Sequence, residues 1–258
     1  MLFRSVALAT ALDYVRTIGK TPIVVNDSRG FFANRCVLRF TAEGLEMLME
    51  GVPPAMIENT AKMAGMPVGP LSLSDEVALD LVLKIMKATE ADLGANAIDQ
   101  AQKKLLVEMV EKQGRFGRKN GKGCYDYPEK GKGQKSLWSE LSGLQPKHLD
   151  PDTLDIEEMK QRFLVVQAVE AARTVEDHVI TDPREADVGS ILGFGFAPFT
   201  GGTLSYIDGM GVARFVDLAQ SLAVKHGDRF TPNALLVEMA GKGETFYGRF
   251  GQKAKAAA

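Results

Sequence analysis

The sequence has few of the residues that cross-link a protein, anchor it in a membrane or attract it to nucleic acid. Only two cysteines occur among 258 residues, Cys36 and Cys124, and they form no CxxC pair, which excludes a disulfide framework or a cysteine-ligated metal site. The formal net charge of −2 gives no attraction to nucleic acid. No apolar run reaches the roughly 18 residues of a membrane helix, and residues 1–11 lack a signal-peptide pattern. We therefore expect a cytoplasmic protein.

The motifs of common catalytic and nucleotide-binding sites are also missing. Glycine pairs with GxG spacing occur five times, but none continues to GxGxxG or GxGxxA, and none follows a strand. No GxSxG elbow, HExxH pair or other metal-ligand spacing occurs. The three histidines, His148, His178 and His226, lie in polar or helix-end contexts, so we expect surface or capping roles rather than a general base. The sequence thus predicts no metal site.

The spacing of apolar residues predicts a chain of helices with one strand. Residues 6–18 favour a helix, and residues 21–25 (TPIVV) favour a short strand. A strand must satisfy its backbone groups by pairing, and no second convincing strand occurs. Further helices are predicted over residues 30–49, 53–64, 70–93 and 97–113 and from 156 onward, with residues 114–135 as an exposed Gly- and Lys-rich loop.

The second half of the chain repeats the first. Arg35 and Glu43 align with Arg162 and Glu170, both offset by 127 residues. Further matches in the same order are Asp75 with Asp208 and LVEM at 106–109 with LVEM at 236–239. Because order and spacing both persist, we expect two copies of one helical module, each covering the apolar face of the other.

Three features of the sequence are candidates for anchoring or binding. Both copies keep an arginine and, eight residues later, a glutamate, which favours a structural ion pair that anchors the helices. Asn34 is matched by Gln161 in the second copy, so it is a candidate for a role performed by one copy only. Residues 115–123 (RFGRKNGKG) carry four cations and form either a solvated loop or a contact for a phosphate.

Three parts of the sequence resemble a known family. Residues 19–27 (GKTPIVVND) and 30–35 (GFFANR) resemble the interdomain junction of 3-hydroxyacyl-CoA dehydrogenases. Residues 115–125 (RFGRKNGKGCY) resemble the end of that family's first helical domain. Residues 185–187 (EAD) and 193–202 (GFGFAPFTGG) resemble the second helical copy of multifunctional fatty-acid oxidation proteins. The resemblance covers nearly the whole chain and favours the bacterial-type multifunctional alpha subunit.

The resemblance implies an activity and three site residues. In the family, (3S)-3-hydroxyacyl-CoA is oxidised to 3-oxoacyl-CoA in fatty acid β-oxidation, with NAD as the hydride acceptor and a histidine, oriented by a glutamate, as the base. That dyad and most of the NAD site belong to a Rossmann domain that these residues do not include, so the isolated chain is expected to be inactive. Asn34 carries over as a catalytic and substrate-contacting residue, and Lys119 as a cofactor contact. Leu192 stands where some relatives have a substrate-contacting tyrosine, which puts a polar contact there in doubt.

The fold implied by the resemblance is mainly α, with two tandem copies of the helical C-terminal domain of 3-hydroxyacyl-CoA dehydrogenase. Residues 1–27 would be a helix–strand remnant of the NAD-binding Rossmann domain, residues 28–145 the first helical copy and residues 150–258 the second. Since the remnant would lack its neighbours, we expect fast amide exchange throughout residues 1–27.

The resemblance also implies partners, and it leaves one alternative open. The partners are an acyl-CoA substrate, upstream Rossmann and enoyl-CoA hydratase domains, and a thiolase subunit. The alternative is a non-catalytic helical module that binds acyl-CoA or takes part in assembly, supplying Asn34 to a site in trans.

Overall fold

The computed structural model describes residues 2–129 and 132–251. In these two ranges the chain is mainly helical, and its β-strands are two segments of two residues each. The predicted mainly-α class is therefore confirmed. No helix among the described residues has the length and apolar character needed to span a bilayer.

The α-helices match most of the predicted ones to within a few residues. Those in the first half are α1 Leu2–Thr17, α2 Ala33–Glu50, α3 Pro54–Met63, α4 Pro70–Val77, α5 Leu79–Leu93 and α6 Gln100–Val107. Those in the second half are α7 Ile156–Glu176, α8 Pro183–Phe194, α9 Thr203–Met210, α10 Val212–His226, α11 Ala234–Lys242 and α12 Phe246–Phe250.

The described residues form two compact units. Residues up to 36 and from 168 onward make one, called here the terminal unit, and residues 37–167 make the other, the central unit. The division falls inside α2 and inside α7, so each unit contains parts of both sequence repeats. Each unit has its own buried core and is described separately.

The central unit is packed around aromatic and branched side chains of its helices. The rings of Phe40 on α2 and Phe163 on α7 meet edge to face, with centroids 5.3 Å apart, and both are fully buried. Pro54 and Pro70 occupy the first positions of α3 and α4, where a missing N–H breaks no helical hydrogen bond. The prolines therefore start these two helices, as the sequence predicts.

The terminal unit is packed mainly by phenylalanine rings. Phe196, Phe215, Phe230 and Phe246 are fully buried. The ring of Tyr206 meets Phe196 and Phe215 edge to face, with centroid separations of 6.2 and 6.1 Å. Full burial of one such ring stabilises a fold by about 1.5–3 kcal/mol, so these residues hold α9, α10 and α12 together.

The predicted strand at residues 21–25 is wrong. Residues 20–28 have no regular secondary structure, because no extended neighbour among the described residues forms a ladder with them. The N–H of Asn26 donates to the carbonyl of Val179 at 2.8 Å and attaches this segment to the turn after α7. The observed strands are β1 (Tyr125–Asp126) and β2 (Ser136–Leu137), an antiparallel pair inside the predicted loop.

Two predicted helices are shorter or more broken than expected. The helix predicted over residues 70–93 is interrupted by Ala78, whose φ is 82° and ψ 118°. Alanine is the best helix former, so no local signal marks this break. The N–H of Leu79 donates instead to the carbonyl of Phe116 at 3.0 Å, a tertiary bond that replaces a helical one. The helix predicted over 97–113 starts later, at α6, and ends in a π-helical turn.

Candidate functional site

Asn34 lies in the first turn of α2, at a tight backbone turn in the terminal unit. Gly30 and Phe31 both have positive φ, 79° and 48°, and the second of these is unusual for a bulky residue. This turn directs the chain into the helix just before Asn34. The side chain of Asn34 is exposed, so its carboxamide is available to donate and accept hydrogen bonds.

Arg35, the next residue, ties this helix turn to α7. Its Nε donates to Glu170 Oε1 and its Nη1 to Asp177 Oδ2, both at 2.7 Å. Burial lowers the pKa of Arg35, but the bonds to Asp177 and Glu170 outweigh it, so the pKa is raised overall. Arg35 therefore stays charged and fixes the backbone position of its neighbour Asn34.

Leu192 lies on α8, next to the start of α2. The ring centroids of Phe32 and Phe194 are 5.9 Å apart. Phe32 lies two residues before Asn34 in the sequence, and Phe194 lies two residues after Leu192. Gly189 lies against the same region, since a Cβ there would be 2.7 Å from Cδ1 of Ile23 and 3.4 Å from Cε1 of Phe32. The Leu192 side chain is 67% exposed, so it presents an apolar surface at this end of the terminal unit. The structure thus brings Asn34 and Leu192 onto neighbouring elements.

Lys119 lies in the central unit, in the cationic loop. Its Nζ is 2.5 Å from Oδ2 of Asp80, and it lies 5.6 Å from the ring centre of Phe116. The other carboxylate oxygen of Asp80, Oδ1, is buried and has no hydrogen-bond partner among the described residues. Both Lys119 and Asp80 are partly exposed. Lys119 can therefore bind a ligand only when its ion pair with Asp80 breaks.

The rest of this loop is mostly exposed or partly exposed, as predicted, but Arg115 is an exception. Arg115 is buried: its Nε donates to the carbonyl of Gly123 at 2.6 Å, and its guanidinium lies 4.1 Å from the ring centre of Trp138. Arg118 pairs with Glu76 at 2.7 Å. Besides Lys119, two of the four cations thus have carboxylate or carbonyl partners: the contacts of Arg115 are buried, whereas the Arg118–Glu76 pair lies at the surface.

Two buried acids attach this loop to α3 and α4. No sequence motif marks them as residues that form a site. Glu58 accepts the N–H of Leu71 at 2.7 Å and the hydroxyl of Tyr125 at 2.6 Å. Asp75 accepts the N–H groups of Cys124 and Tyr125, at 2.7 and 2.9 Å, and the hydroxyl of Tyr127 at 3.1 Å. Burial raises the pKa of Asp75 and of both tyrosines. A network of this kind positions the loop that carries Lys119.

The terminal unit contains the same arrangement. Asp187 accepts the N–H of Leu204 and the hydroxyl of Tyr247, both at 2.8 Å. Glu58 likewise accepts one N–H from the start of a helix and one tyrosine hydroxyl. Asp208 accepts the N–H groups of Phe246 and Tyr247, at 2.8 and 3.0 Å. The alignment of Asp75 with Asp208 was the one sequence signal for this network. Its repetition in both units indicates a structural role.

The histidines make contacts typical of turns and surfaces. His178 has a positive φ of 56°, and its carbonyl accepts the side-chain amide of Asn26 at 2.7 Å. The Nδ1 of His148 lies 3.1 Å from Gln145, and the ring of His226 packs on Phe230. No group of three or more potential metal ligands occurs in the described ranges.

Comparison with known proteins agrees with this architecture. The family model of the 3-hydroxyacyl-CoA dehydrogenase C-terminal domain matches residues 30–127. The fatty acid oxidation complex subunit alpha of Shewanella amazonensis is 38% identical over 243 residues, which are 93% of this chain and 33% of that protein. The chain thus spans about a third of the length of this relative.

Solved structures share the fold at low identity. The 3-hydroxybutyryl-CoA dehydrogenase of Escherichia coli K12 matches with a TM-score of 0.67 and 18% identity, over 91% of this chain and 64% of that one. The dehydrogenase part of multifunctional enzyme 1 from C. elegans matches with a TM-score of 0.62 and 19% identity, over 90% and 53%. Taken with the sequence matches, these findings show that residues 30–127 match the C-terminal domain of 3-hydroxyacyl-CoA dehydrogenases and that 93% of the chain is similar to part of a fatty acid oxidation complex subunit alpha.

Proposed function

We propose that this chain forms the substrate side of a 3-hydroxyacyl-CoA dehydrogenase that oxidises (3S)-3-hydroxyacyl-CoA in fatty acid oxidation. The observation that carries the proposal is the exposed Asn34 on a turn of α2 whose backbone is fixed by Arg35. The match to a fatty acid oxidation complex subunit over 93% of the chain supports the substrate class.

Asn34 is the proposed substrate contact. Its carboxamide donates two hydrogens and accepts at one oxygen, so it can bond both to the substrate oxygen at C3 and to the base that removes its proton. Leu192, on the neighbouring helix, offers only carbon, so we propose that it contacts the substrate by packing.

NAD is the proposed hydride acceptor, but the described residues do not fit the whole cofactor. No glycine-rich turn joins a strand to a helix among them, which is what a dinucleotide pyrophosphate requires. Lys119 alone is proposed as a contact at the edge of the cofactor, after release from Asp80. The base and the nucleotide cradle would then come from residues other than those described.

The domain organisation is proposed from the sequence and the repeated contacts. We assign residues 28–145 and 150–258 to two helical copies, supported by the equal bonding of Asp75 and Asp208. Residues 1–27 are assigned to the edge of a Rossmann domain. We further propose enoyl-CoA hydratase domains and a thiolase subunit as partners, and a cytoplasmic location.

Binding of acetoacetyl-CoA to the purified chain tests the substrate role. We expect calorimetry to detect binding that Asn34→Ala weakens by about 1–3 kcal/mol, the usual cost of a lost hydrogen bond that leaves a partner unsatisfied. Asn59→Ala is the matched control, because Asn59 is also an exposed helix asparagine, on α3. Equal affinity of the Asn34→Ala variant and the wild type would remove Asn34 from the site.

A non-catalytic role in trans is the second candidate, favoured because residues 2–129 and 132–251 contain no dinucleotide cradle. Oxidation of NADH by the purified chain with acetoacetyl-CoA separates the two. We expect no turnover from the chain alone, and turnover when a protein that carries the base and the NAD site is added. Turnover by the chain alone would show that a base and a cofactor site exist in it, and His178 and His226 would be replaced first. No turnover in the mixture, with acetoacetyl-CoA still bound, would favour the binding module.

A further inference from the structure

A small apolar cavity lies inside the central unit, between α2 and α5. Its volume is about 120 Å³, and its apolar walls include Leu38 and Leu45 from α2 and Leu79, Val82 and Ile85 from α5. Ile85 is 40% exposed, so the cavity opens to the surface along α5. An apolar space of this size is close to the roughly 150 Å³ cavity that takes up benzene in another protein.

The three polar residues in the cavity wall do not turn it into a polar site. Thr41 donates to the carbonyl of Leu38 at 3.1 Å, and Ser74 donates to the carbonyl of Pro70 at 2.8 Å. The amide nitrogen of Gln102 donates to the carbonyl of Ala42 at 3.3 Å and also to Glu46. Because these donors are used within the protein, the cavity offers a guest mainly carbon, and water gains little by entering it.

The terminal unit has a larger side chain at the corresponding position. Helix α10 has the same length as α5, and the residues before the two helices share their backbone conformation: Ala78 has φ 82° and ψ 118°, and Gly211 has φ 90° and ψ 122°. In this register Val82 corresponds to Phe215, which is fully buried. A valine in the first copy thus leaves open a volume that a phenylalanine ring fills in the second.

We propose that this cavity binds the end of the acyl chain of the substrate. The proposal rests on the proposed function, since it takes the acyl-CoA class from there. A volume of about 120 Å³ holds about five carbon atoms, on the scale of the benzene cavity. The wall residues Leu38, Thr41, Ala42 and Leu45 share one face of α2, so the cavity is open to a guest along that face.

A phenylalanine at position 82 tests the assignment. We expect hexanoyl-CoA to shift the methyl NMR signals of Leu38, Val82 and Ile85 in the purified chain, whereas coenzyme A without an acyl group should not. Val82→Phe should weaken hexanoyl-CoA binding by at least about tenfold, the effect of even one methylene in an apolar pocket, and leave coenzyme A binding unchanged. Val224→Phe is the control, since Val224 on α10 is 89% exposed.

Each result decides for or against the cavity. Loss of binding in Val82→Phe with an unchanged melting temperature supports it, because the variant is folded and only the cavity is filled. Hexanoyl-CoA binding that shifts no cavity methyl, or that Val82→Phe leaves intact, overturns the proposal while the proposed function stands. If neither hexanoyl-CoA nor coenzyme A binds the chain at all, the proposed function fails, and the assignment of the cavity to an acyl chain fails with it. A shift of the cavity methyl signals by 1-pentanol alone would then show only that the cavity accepts a small apolar molecule.

Discussion

Arg162 donates from Nε to Oε1 of Glu43 at 2.6 Å, and both side chains are buried. Arg35 and Glu170 make the corresponding contact at 2.7 Å. Each arginine thus pairs with the glutamate of the other repeat. A pair within one helix is excluded by geometry, because residues eight apart are separated by about 12 Å along the helix axis. The anchoring role is supported, but it links α2 to α7.

Removal of Arg162 should strongly destabilise the protein. Arg162→Ala leaves the fully buried Glu43 carboxylate without its charged partner, and we expect a loss of about 3–5 kcal/mol in the free energy of unfolding, measured with urea. Arg35→Ala should cost less, because the Arg35 side chain is 19% exposed and Asp177 is 51% exposed. Arg184→Ala, which breaks a surface pair with Asp182, should cost at most about 1 kcal/mol. Equal losses in the Arg162 and Arg184 variants would contradict the importance of burial.

Exchange of the residues before α5 and α10 should change stability in opposite directions. Ala78 and Gly211 have nearly the same positive φ, which strains alanine and not glycine. We expect Ala78→Gly to stabilise the chain by up to about 1 kcal/mol and Gly211→Ala to destabilise it by about 1 kcal/mol or more, in thermal or urea unfolding. The two variants control for each other. Destabilisation by Ala78→Gly would show that the packing of the alanine methyl stabilises the fold by more than the strained backbone destabilises it.

The break at Ala78 shows which parts of the fold the sequence predicts and which it does not. Proline at the start of α3 and α4 and the apolar spacing of α2 and α7 are local signals, and those helices are where the sequence places them. The break before α5 depends on the carbonyl of Phe116, about 37 residues away in sequence, which no local pattern reveals. Comparison of the two repeats would have exposed it, because the second has glycine at that position.

The candidate site was predictable to a similar extent. The sequence indicates Asn34 as a site residue for two reasons: it differs between the two repeats, and it matches a residue in the family that the chain resembles. The spacing of residues does not reveal the networks around Glu58 and Asp187, because each carboxylate accepts a backbone N–H that lies 13 or 17 residues further along the chain. An acid that caps the next helix follows no fixed spacing rule.

The pH dependence of stability should contain a contribution from Glu185. Burial raises the pKa of this carboxyl, although the backbone N–H of Val24 donates to it. Between the ordinary glutamate pKa of 4.5 and the raised value, the folded state binds more protons than the unfolded state, so stability falls as pH rises. Glu185→Gln should therefore gain stability relative to the wild type across this window, measured by urea unfolding from pH 4 to 7.

A second variant checks the sign of the Glu185 effect. A hydrogen bond from Lys242 lowers the pKa of Glu238, so its contribution is present at neutral pH and is lost as pH falls through the lowered value. Glu238→Gln should lose a small amount of stability relative to the wild type above pH 4.5. The same sign for both variants would mean that the charge change alone, and not the environment, determines the response.

Amide exchange should divide residues 1–27 into two parts, rather than being fast throughout as the sequence alone suggested. Helix α1 has exposed apolar side chains, among them Val6 and Tyr14, and the described residues give it little cover. Its amides should exchange as fast as those of an isolated helix. The N–H groups of Val24 and Asn26 donate to Glu185 and to the carbonyl of Val179, so they should exchange more slowly than any in α1.

Two variants at position 185 test the bond to Val24. Glu185→Ala removes the acceptor, so the Val24 N–H should exchange faster while that of Asn26 is unaffected. Glu185→Gln is the control, because the glutamine carbonyl still accepts the Val24 N–H. Uniform fast exchange from residue 2 to residue 27 would show that the segment after α1 is not held by α8 in solution.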